Sequence, residues 1–347
     1  MRSAISSSKP RTSWFSVRKL GPGYPNFARS MSEAGYVTYH LGKRGNEDLE
    51  SHKSFDFNLY VEPNDIAERD AAKPGKQVAD RSIAFLDEWK QHHAKPFFMC
   101  LSGPAPHDPR LAPPEYLARY DASKLPLPRN FLPFHPFDNG ELLVRDEQLA
   151  PWPRTPEEVR KHLRDYYAVI TYMDEQIGRI FEKLREIGEY QNTIIVFTSD
   201  QGIAIGSHGL MGKQNLYEPS MRAGLLTGAK IPDSLEGKSI APVIQGRRKQ
   251  TWDTIFLGYR DFQRAVRKGR WKLIRYPNVN RTQLFDLERD PDETRDLSAS
   301  PKHAARVKEL TTLLAAQQKV FGDTLPLSVA KPGPPSVDLS FFKPKVL

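Results

Sequence analysis

Six consecutive residues, Thr193–Thr198 (TIIVFT), constrain this chain more than any other feature. They are apolar and β-branched with no polar alternation, which predicts a strand buried on both faces of a parallel sheet. The run stops at Ser199-Asp200-Gln201-Gly202. A carboxylate and an amide are then expected at the carboxyl end of a central strand, the edge where open α/β sheets bind ligands. His208, in Gly-Ser-His-Gly, and Lys213, in Gly-Lys, follow on a Gly-rich loop. Asp200 and the Gln201 carbonyl suit a hard cation such as Ca²⁺ or Mg²⁺, and Lys213 suits an anionic oxygen. A turn followed by a solvated loop is the plain alternative.

Two more strand-to-loop junctions carry similar chemistry. Tyr36–Leu41 reads as a strand running into Gly42-Lys43-Arg44-Gly45-Asn46, which places Lys43 to meet an anion or to sit in a solvated turn. Pro96–Ser102 reads as a buried strand running into Gly103-Pro104-Ala105-Pro106-His107-Asp108-Pro109. His107 either faces a ligand or caps a Pro-rich turn. Cys100, in mid-strand, reads as a core thiol.

The connecting segments read as helices. Tyr24–Ala34 stops at Gly35, and Gln77–His93 is amphipathic. A long helix over 155–187 opens on Thr155-Pro156-Glu157-Glu158, with a stripe of Leu163, Tyr167, Ile170, Met173, Ile177, Ile180, Leu184 and Ile187. Between them, Asp121–Pro153 is a long Pro-rich loop. Its Arg145-Asp146-Glu147 run reads as a solvated charge cluster, with a substrate subsite as the alternative. Met221–Thr227 predicts another strand. From Trp252 short strands follow at 255–259, 263–268, 271–275 and 282–287, then an amphipathic helix over Lys302–Phe321. Residues 1–22 and the Pro-rich tail 325–347 show no pattern that predicts fixed structure.

The junctions together resemble the sulfatase branch of the alkaline-phosphatase-like hydrolases. The resemblance rests on Ser-Asp-Gln-Gly, Gly-Ser-His-Gly with Gly-Lys, Gly42-Lys43, Ala-Pro-His-Asp-Pro, and the late Leu-Phe-Asp-Leu and Asp-Pro-Asp-Glu elements. It implies an α/β fold: a mixed, mostly parallel sheet between helices, with a small C-terminal antiparallel sheet plus helix. It divides the chain into 1–247, 248–324 and a tail from 325 to 347. It implies a sulfuric ester hydrolase acting on a sulfated small molecule or glycan. Lys43, His107 and Lys213 take catalytic roles around the sulfate, Asp200 and Gln201 hold part of a Ca²⁺ site, and His208, Asn46 and Arg145 bind substrate. Gly45 stands where relatives often have a histidine, with Asn46 a possible substitute. Residues 231–246 follow Thr227 without an intervening loop and helix that relatives have.

Sulfatases make their nucleophile, formylglycine, from the first residue of Cys/Ser-x-Pro-x-Arg. Cys100 lies in Cys-Leu-Ser-Gly-Pro, and Ser8-Lys9-Pro10-Arg11 has its arginine one place early. Formylglycine is therefore not encoded in this chain. Arg2-Ser3-Ala4-Ile5 resembles the residues just after the motif, so the expectation is a chain that begins inside the family's active-site helix, with impaired activity. The alternatives are a phosphoester or phosphonate hydrolase of the same superfamily, or a non-catalytic anion-binding protein. Charge fits small anions: 51 Lys+Arg against 42 Asp+Glu give +9, but scattered, without the basic patch a nucleic acid needs. No apolar run approaches the roughly 18 residues of a membrane span, and residues 1–20 lack the apolar core of a signal peptide. One cysteine excludes a disulfide framework. Oligomeric state is left open.

Overall fold

The structure, a computed structural model, describes residues 26–43, 52–61, 73–92, 94–222, 247 and 252–336. Helix α1, Phe27–Glu33, is capped by Asn26, whose side chain accepts from the Arg29 N–H at 2.9 Å. Strand β1, Val37–Lys43, is the centre of a three-stranded parallel sheet, flanked by β2, Phe57–Val61, and β3, Phe97–Ser102. Period-two alternation sends Val37, Tyr39 and Leu41 to one face. There they pack on Val78, Phe85, Leu86 and Trp89 of α2, Lys76–His92. On the other face, Phe27 of α1 meets Phe98 edge-on at 4.9 Å. The sheet thus lies between helices, as an α/β fold requires.

Helix α3 is the single turn Pro114–Leu117, and α4 spans Pro156–Glu186. The Thr155 hydroxyl caps α4 at Glu158 N (3.2 Å). Three different neighbours divide α4's buried face. Val159 and Leu163 pack on Ile205 and Met211, Ala168, Val169 and Tyr172 on Ala112 and Tyr116, and Ile180 and Leu184 on the α2–sheet core. This bends the expected stripe: Ile170 is exposed and Ile177 only half-buried, while Val169, Tyr172 and Gln176 are inside.

A second, antiparallel sheet has the meander order β4 (Thr254–Tyr259), β5 (Gln263–Lys268), β6 (Trp271–Tyr276), β7 (Arg281–Asp286). One face carries Val266, Leu273 and Leu284 against Leu310 and Leu314 of the C-terminal helix, Ala304–Val320. The other carries Ala265, Ile274 and Phe285 against Phe137, Leu210, Leu216 and Tyr217. The small sheet therefore buttresses the loop that carries the candidate site. Among the described residues, no helix is long and apolar enough to cross a membrane.

Four expectations are corrected here. Among the described residues Thr193–Thr198 joins neither sheet, apart from a single bridge position at Thr198, and Ile194 is 73% and Phe197 66% exposed. A β-branched run becomes a strand only where a neighbour completes its hydrogen-bond ladder, and no described strand lies beside it. Met221 closes a short helix, α5 (Glu218–Met221), rather than opening a strand; 223–227 lie outside the described residues. The Arg145-Asp146-Glu147 run is not solvated, since both acids are buried. Finally, the described part of the tail has fixed contacts. Val329 N–H donates to Asn280 Oδ1 (3.0 Å), Gly333 N–H to the Asn278 carbonyl (2.8 Å), and Asp138 N–H to the Pro335 carbonyl (2.9 Å). Backbone hydrogen bonds hold it without an apolar pattern, which is why composition did not reveal it. Residues 1–22 and 231–246 lie outside the described residues.

Candidate active site

Parallel pairing fixes where the first two groups lie. Gly42 pairs with Ser102, so Lys43 and the loop after β3 leave the sheet at the same edge. In that loop the His107 Nδ1–H donates to the Asp108 carbonyl (3.1 Å), which leaves Nε2 facing outward. Asp108 is in turn paired with Arg110 Nε at 3.1 Å. Arg110 Nη1 donates to His162 Nδ1 of α4 (3.1 Å) and lies over the Tyr166 ring. The histidine loop is thereby tied to the longest helix in the molecule. Burial, with Arg110 close by, pushes the His162 pKa down, consistent with a neutral acceptor.

The third group comes from the buried charge run. Arg145 Nε and Nη2 bond Asp146 Oδ1 (2.9 and 2.5 Å), and Nη2 stands 3.4 Å from His107 Nε2. Gln214 Nε2 donates to the other Asp146 oxygen (2.9 Å), and the Gln214 carbonyl oxygen Oε1 accepts from Lys213 N–H (3.0 Å). Burial pushes the Asp146 carboxyl up, but bonds from Gln214 and Arg145 and the nearby Lys213 ammonium outweigh it and hold the pKa low. Asp146 thus bonds Arg145 and Gln214 and feels the Lys213 charge, and Arg145 in turn stands beside His107, so groups from three remote segments are linked through one buried carboxylate.

Glu147 fixes the Lys213 loop. Its two oxygens accept from Met211 N–H and Gly212 N–H, both at 2.8 Å, and Arg154 Nη2 donates to it at 2.9 Å. Burial raises the Glu147 pKa and lowers that of Arg154 to about 10, while their pairing opposes both shifts. Gly212 is required by close approach: a Cβ there would lie 2.5 Å from Gln214 Oε1 and 3.0 Å from Asp146 Cβ.

The other expected residues are placed as follows. His208 is buried, stacked on Tyr217 with ring centroids 3.9 Å apart, and its Nε2 accepts from Asn130 Nδ2 at 3.0 Å. Burial, with His135 and Lys272 nearby, lowers its pKa to about 3, so the ring is enclosed and neutral. Asp200 is exposed and Gln201 half-buried. They precede Gly202, whose N–H donates to the Ser220 carbonyl (2.9 Å); Ala204 N–H then meets the Gly212 carbonyl (3.0 Å). Among the described residues no three His, Cys, Asp or Glu side chains gather where they could hold a metal ion. Asp200 and Gln201 do not by themselves supply the six to eight oxygens calcium takes. Asn46 lies outside the described residues.

Gln214, Arg110, His162 and Arg154 were missed from the sequence. The available signal was around Arg145-Asp146-Glu147: Leu142, Leu143 and Val144 before it and Leu149 and Ala150 after it show charges embedded in an apolar segment.

The comparisons with known proteins agree with this architecture. The Sulfatase family model matches residues 1–228, and that of the N-sulphoglucosamine sulphohydrolase C-terminal region matches 224–320. The chain belongs to the sulfatase family. It is 24% identical to an N-acetylglucosamine-6-O-sulfatase of Bacteroides thetaiotaomicron, covering 86% of this chain and 73% of that one. It is 28% identical to an arylsulfatase of Clostridium perfringens, over 70% of this chain and 57% of the relative's length. Among solved structures, a protein in complex with its substrate D-glucosamine-2-N,6-O-disulfate superposes with TM-score 0.68 at 22% identity, over 88% of this chain and 84% of that chain. A phosphonate monoester hydrolase of Silicibacter pomeroyi gives 0.64 at 20%, over 87% and 81%. At these identities the structures share the fold.

Proposed function

We propose that this site is that of a sulfatase-like hydrolase and binds sulfate esters of sugars, with hydrolysis impaired in this chain. One observation supports the reading: Arg145 joins His107 to Asp146, which also feels the Lys213 charge, and the His107 loop leaves the sheet at the edge where Lys43 emerges. Sulfuryl transfer needs cations on the non-bridging oxygens and a proton for the leaving alcohol. Lys213, Lys43 and the Arg145 fork supply the first. His107 supplies the second from Nε2 when protonated, its ring held by the bond from Nδ1–H to the Asp108 carbonyl. Asp200 and Gln201 contribute part of a calcium shell, and Asn46 and His208 belong to the substrate side of the site, His208 by shaping the loop that presents Lys213. The 347 residues carry no Cys/Ser-x-Pro-x-Arg motif, so none of them is assigned as nucleophile. We infer that the chain by itself turns over sulfate esters at a negligible rate and binds Ca²⁺ weakly.

The test is turnover of an aryl sulfate and of glucosamine 6-sulfate by the 347-residue chain with added Ca²⁺, beside a phosphate monoester and a phosphonate monoester. Negligible turnover of all four, with sulfate-dependent binding of the sugar, is expected. Turnover at a normal enzymatic rate, lost in Asp200→Ala, would show that these residues do contain the nucleophile. Selective turnover of the phosphonate would transfer the site to the other branch of the superfamily.

A further inference from the structure

The hairpin turn between β4 and β5, Arg260-Asp261-Phe262, touches the site without belonging to the catalytic set. Phe262 packs against Gly140, where a Cβ would come within 2.5 Å of its ring. Gln263 Nε2 reaches the Asn139 carbonyl (3.1 Å) and the Gln214 carbonyl (3.2 Å), so the turn is bonded directly to the residue after Lys213. On this turn, Arg260 Nη1 donates to Glu141 Oε1 at 2.8 Å. The arrangement repeats that of Arg145 on Asp146. In each, a guanidinium stands on a buried carboxylate, with the arginine side chain 61% and 60% exposed and the acid 3% and 7%. The two acids are five positions apart in one segment, and Tyr259 feels the charge of both.

Arg260 also holds a backbone conformation that argues for its side chain. Its φ is +46°, in the left-handed region that Gly, Asn or Asp enter at much lower cost. A turn that needed only its backbone would be easier to build with one of those. Strained non-glycine residues of this kind cluster at binding sites. Each pinned guanidinium still has N–H donors unused by its carboxylate, and a planar fork suits sulfate or carboxylate.

We propose that Arg260 forms a second anion-recognition point on the rim of the site, beside the Arg145 that serves the ester's sulfate, and that the substrate class is a sugar carrying a second sulfate or carboxylate besides the ester to be cleaved. This rests on the sulfate-ester reading of the site. The fixed fork of Arg260 engages the second anion while Lys213 and His107 engage the first.

The experiment compares the affinity of the full chain for D-glucosamine-2-N,6-O-disulfate and for glucosamine 6-sulfate, by calorimetric titration at low salt. Wild type should prefer the disulfate by about tenfold or more, the scale of one charge-assisted hydrogen bond. Arg260→Ala should bring that preference close to one, with folding checked by thermal unfolding. Arg260→Gln, whose amide can still donate to Glu141, gives the same readout if the alanine variant does not fold. A preference retained in either folded variant overturns the proposal. So does a wild type that binds the monosulfate but shows no preference, which leaves the sulfate-ester reading standing. Binding of neither sugar overturns both.

Discussion

Asp146 and Glu147 do different work from adjacent positions. Asp146 gathers Arg145 and Gln214, and Glu147 ties down the backbone that presents Lys213. Glu147→Ala would leave Arg154 buried without its counter-charge and two N–H groups unmet. It should cost about 3–5 kcal/mol in urea unfolding. A loss under 1 kcal/mol would show that the loop does not depend on this anchor. The enclosed histidines give a pH prediction. Burial lowers the pKa of His208 to about 3 and that of His135 to about 4. The unfolded chain takes up these protons below about pH 6.5 and the folded chain does not. Stability is therefore full above that pH and falls as pH drops toward the folded values. At pH 4.5 the loss is roughly 2–3 kcal/mol from each histidine. Urea midpoints at pH 7.5 and 4.5 should diverge in wild type and converge in a His135→Gln/His208→Gln variant. An equal divergence in the variant would place the effect elsewhere.

At the scale of elements, α4 is the spine on which the histidine loop, the Lys213 loop and the sheet are all mounted. Ile180 lies on the α2–sheet core, so Ile180→Asp should cost on the order of 3 kcal/mol or more through a buried, unpaired charge. Thermal denaturation unchanged in that variant would contradict this packing. The helix was legible because Thr155-Pro156-Glu157-Glu158 is a complete start signal and apolar residues recur every three or four positions from Leu163 to Ile187. Its exact buried face was not, because three successive neighbours set it and none adjoins it in sequence. The meander was legible for the same local reason, alternation punctuated by turns. Thr193–Thr198 shows the opposite case: propensity identifies a segment that can be a strand, but its pairing partner is not written in the segment itself.

Across the whole molecule, the four-stranded sheet is joined to the segment around the Lys213 loop by charge as well as by apolar packing. Lys272 of β6 is fully buried, its Nζ 2.9 Å from Glu218 Oε1 and 2.9 Å from Glu293 Oε1, and Glu218 opens the helix just after the Lys213 loop. Lys272→Met would take from Glu293 its buried cation and leave Glu218 with Arg222 and Arg267, and should destabilise the chain by about 3–5 kcal/mol, with Glu293→Gln restoring part of it in the double variant. Additive losses in urea unfolding would mean that the groups do not act as a unit. In the sequence, Lys43, His107 and Lys213 could be picked out because each follows a strand-like run or a Gly-rich turn. The buried charges that position them could not, since a carboxylate looks the same in sequence whether it faces water or Arg154. His107, Arg145 and Lys213 are proposed to form one sulfate-binding site. Its most direct test is a calorimetric titration of glucosamine 6-sulfate, and of unsulfated glucosamine, into wild type and a folded Lys213→Ala variant. Binding that requires the sulfate and weakens about tenfold in the variant, roughly 1.4 kcal/mol, is predicted. Equal affinity for the two sugars, or a sulfate-dependent affinity untouched by Lys213→Ala, would contradict it.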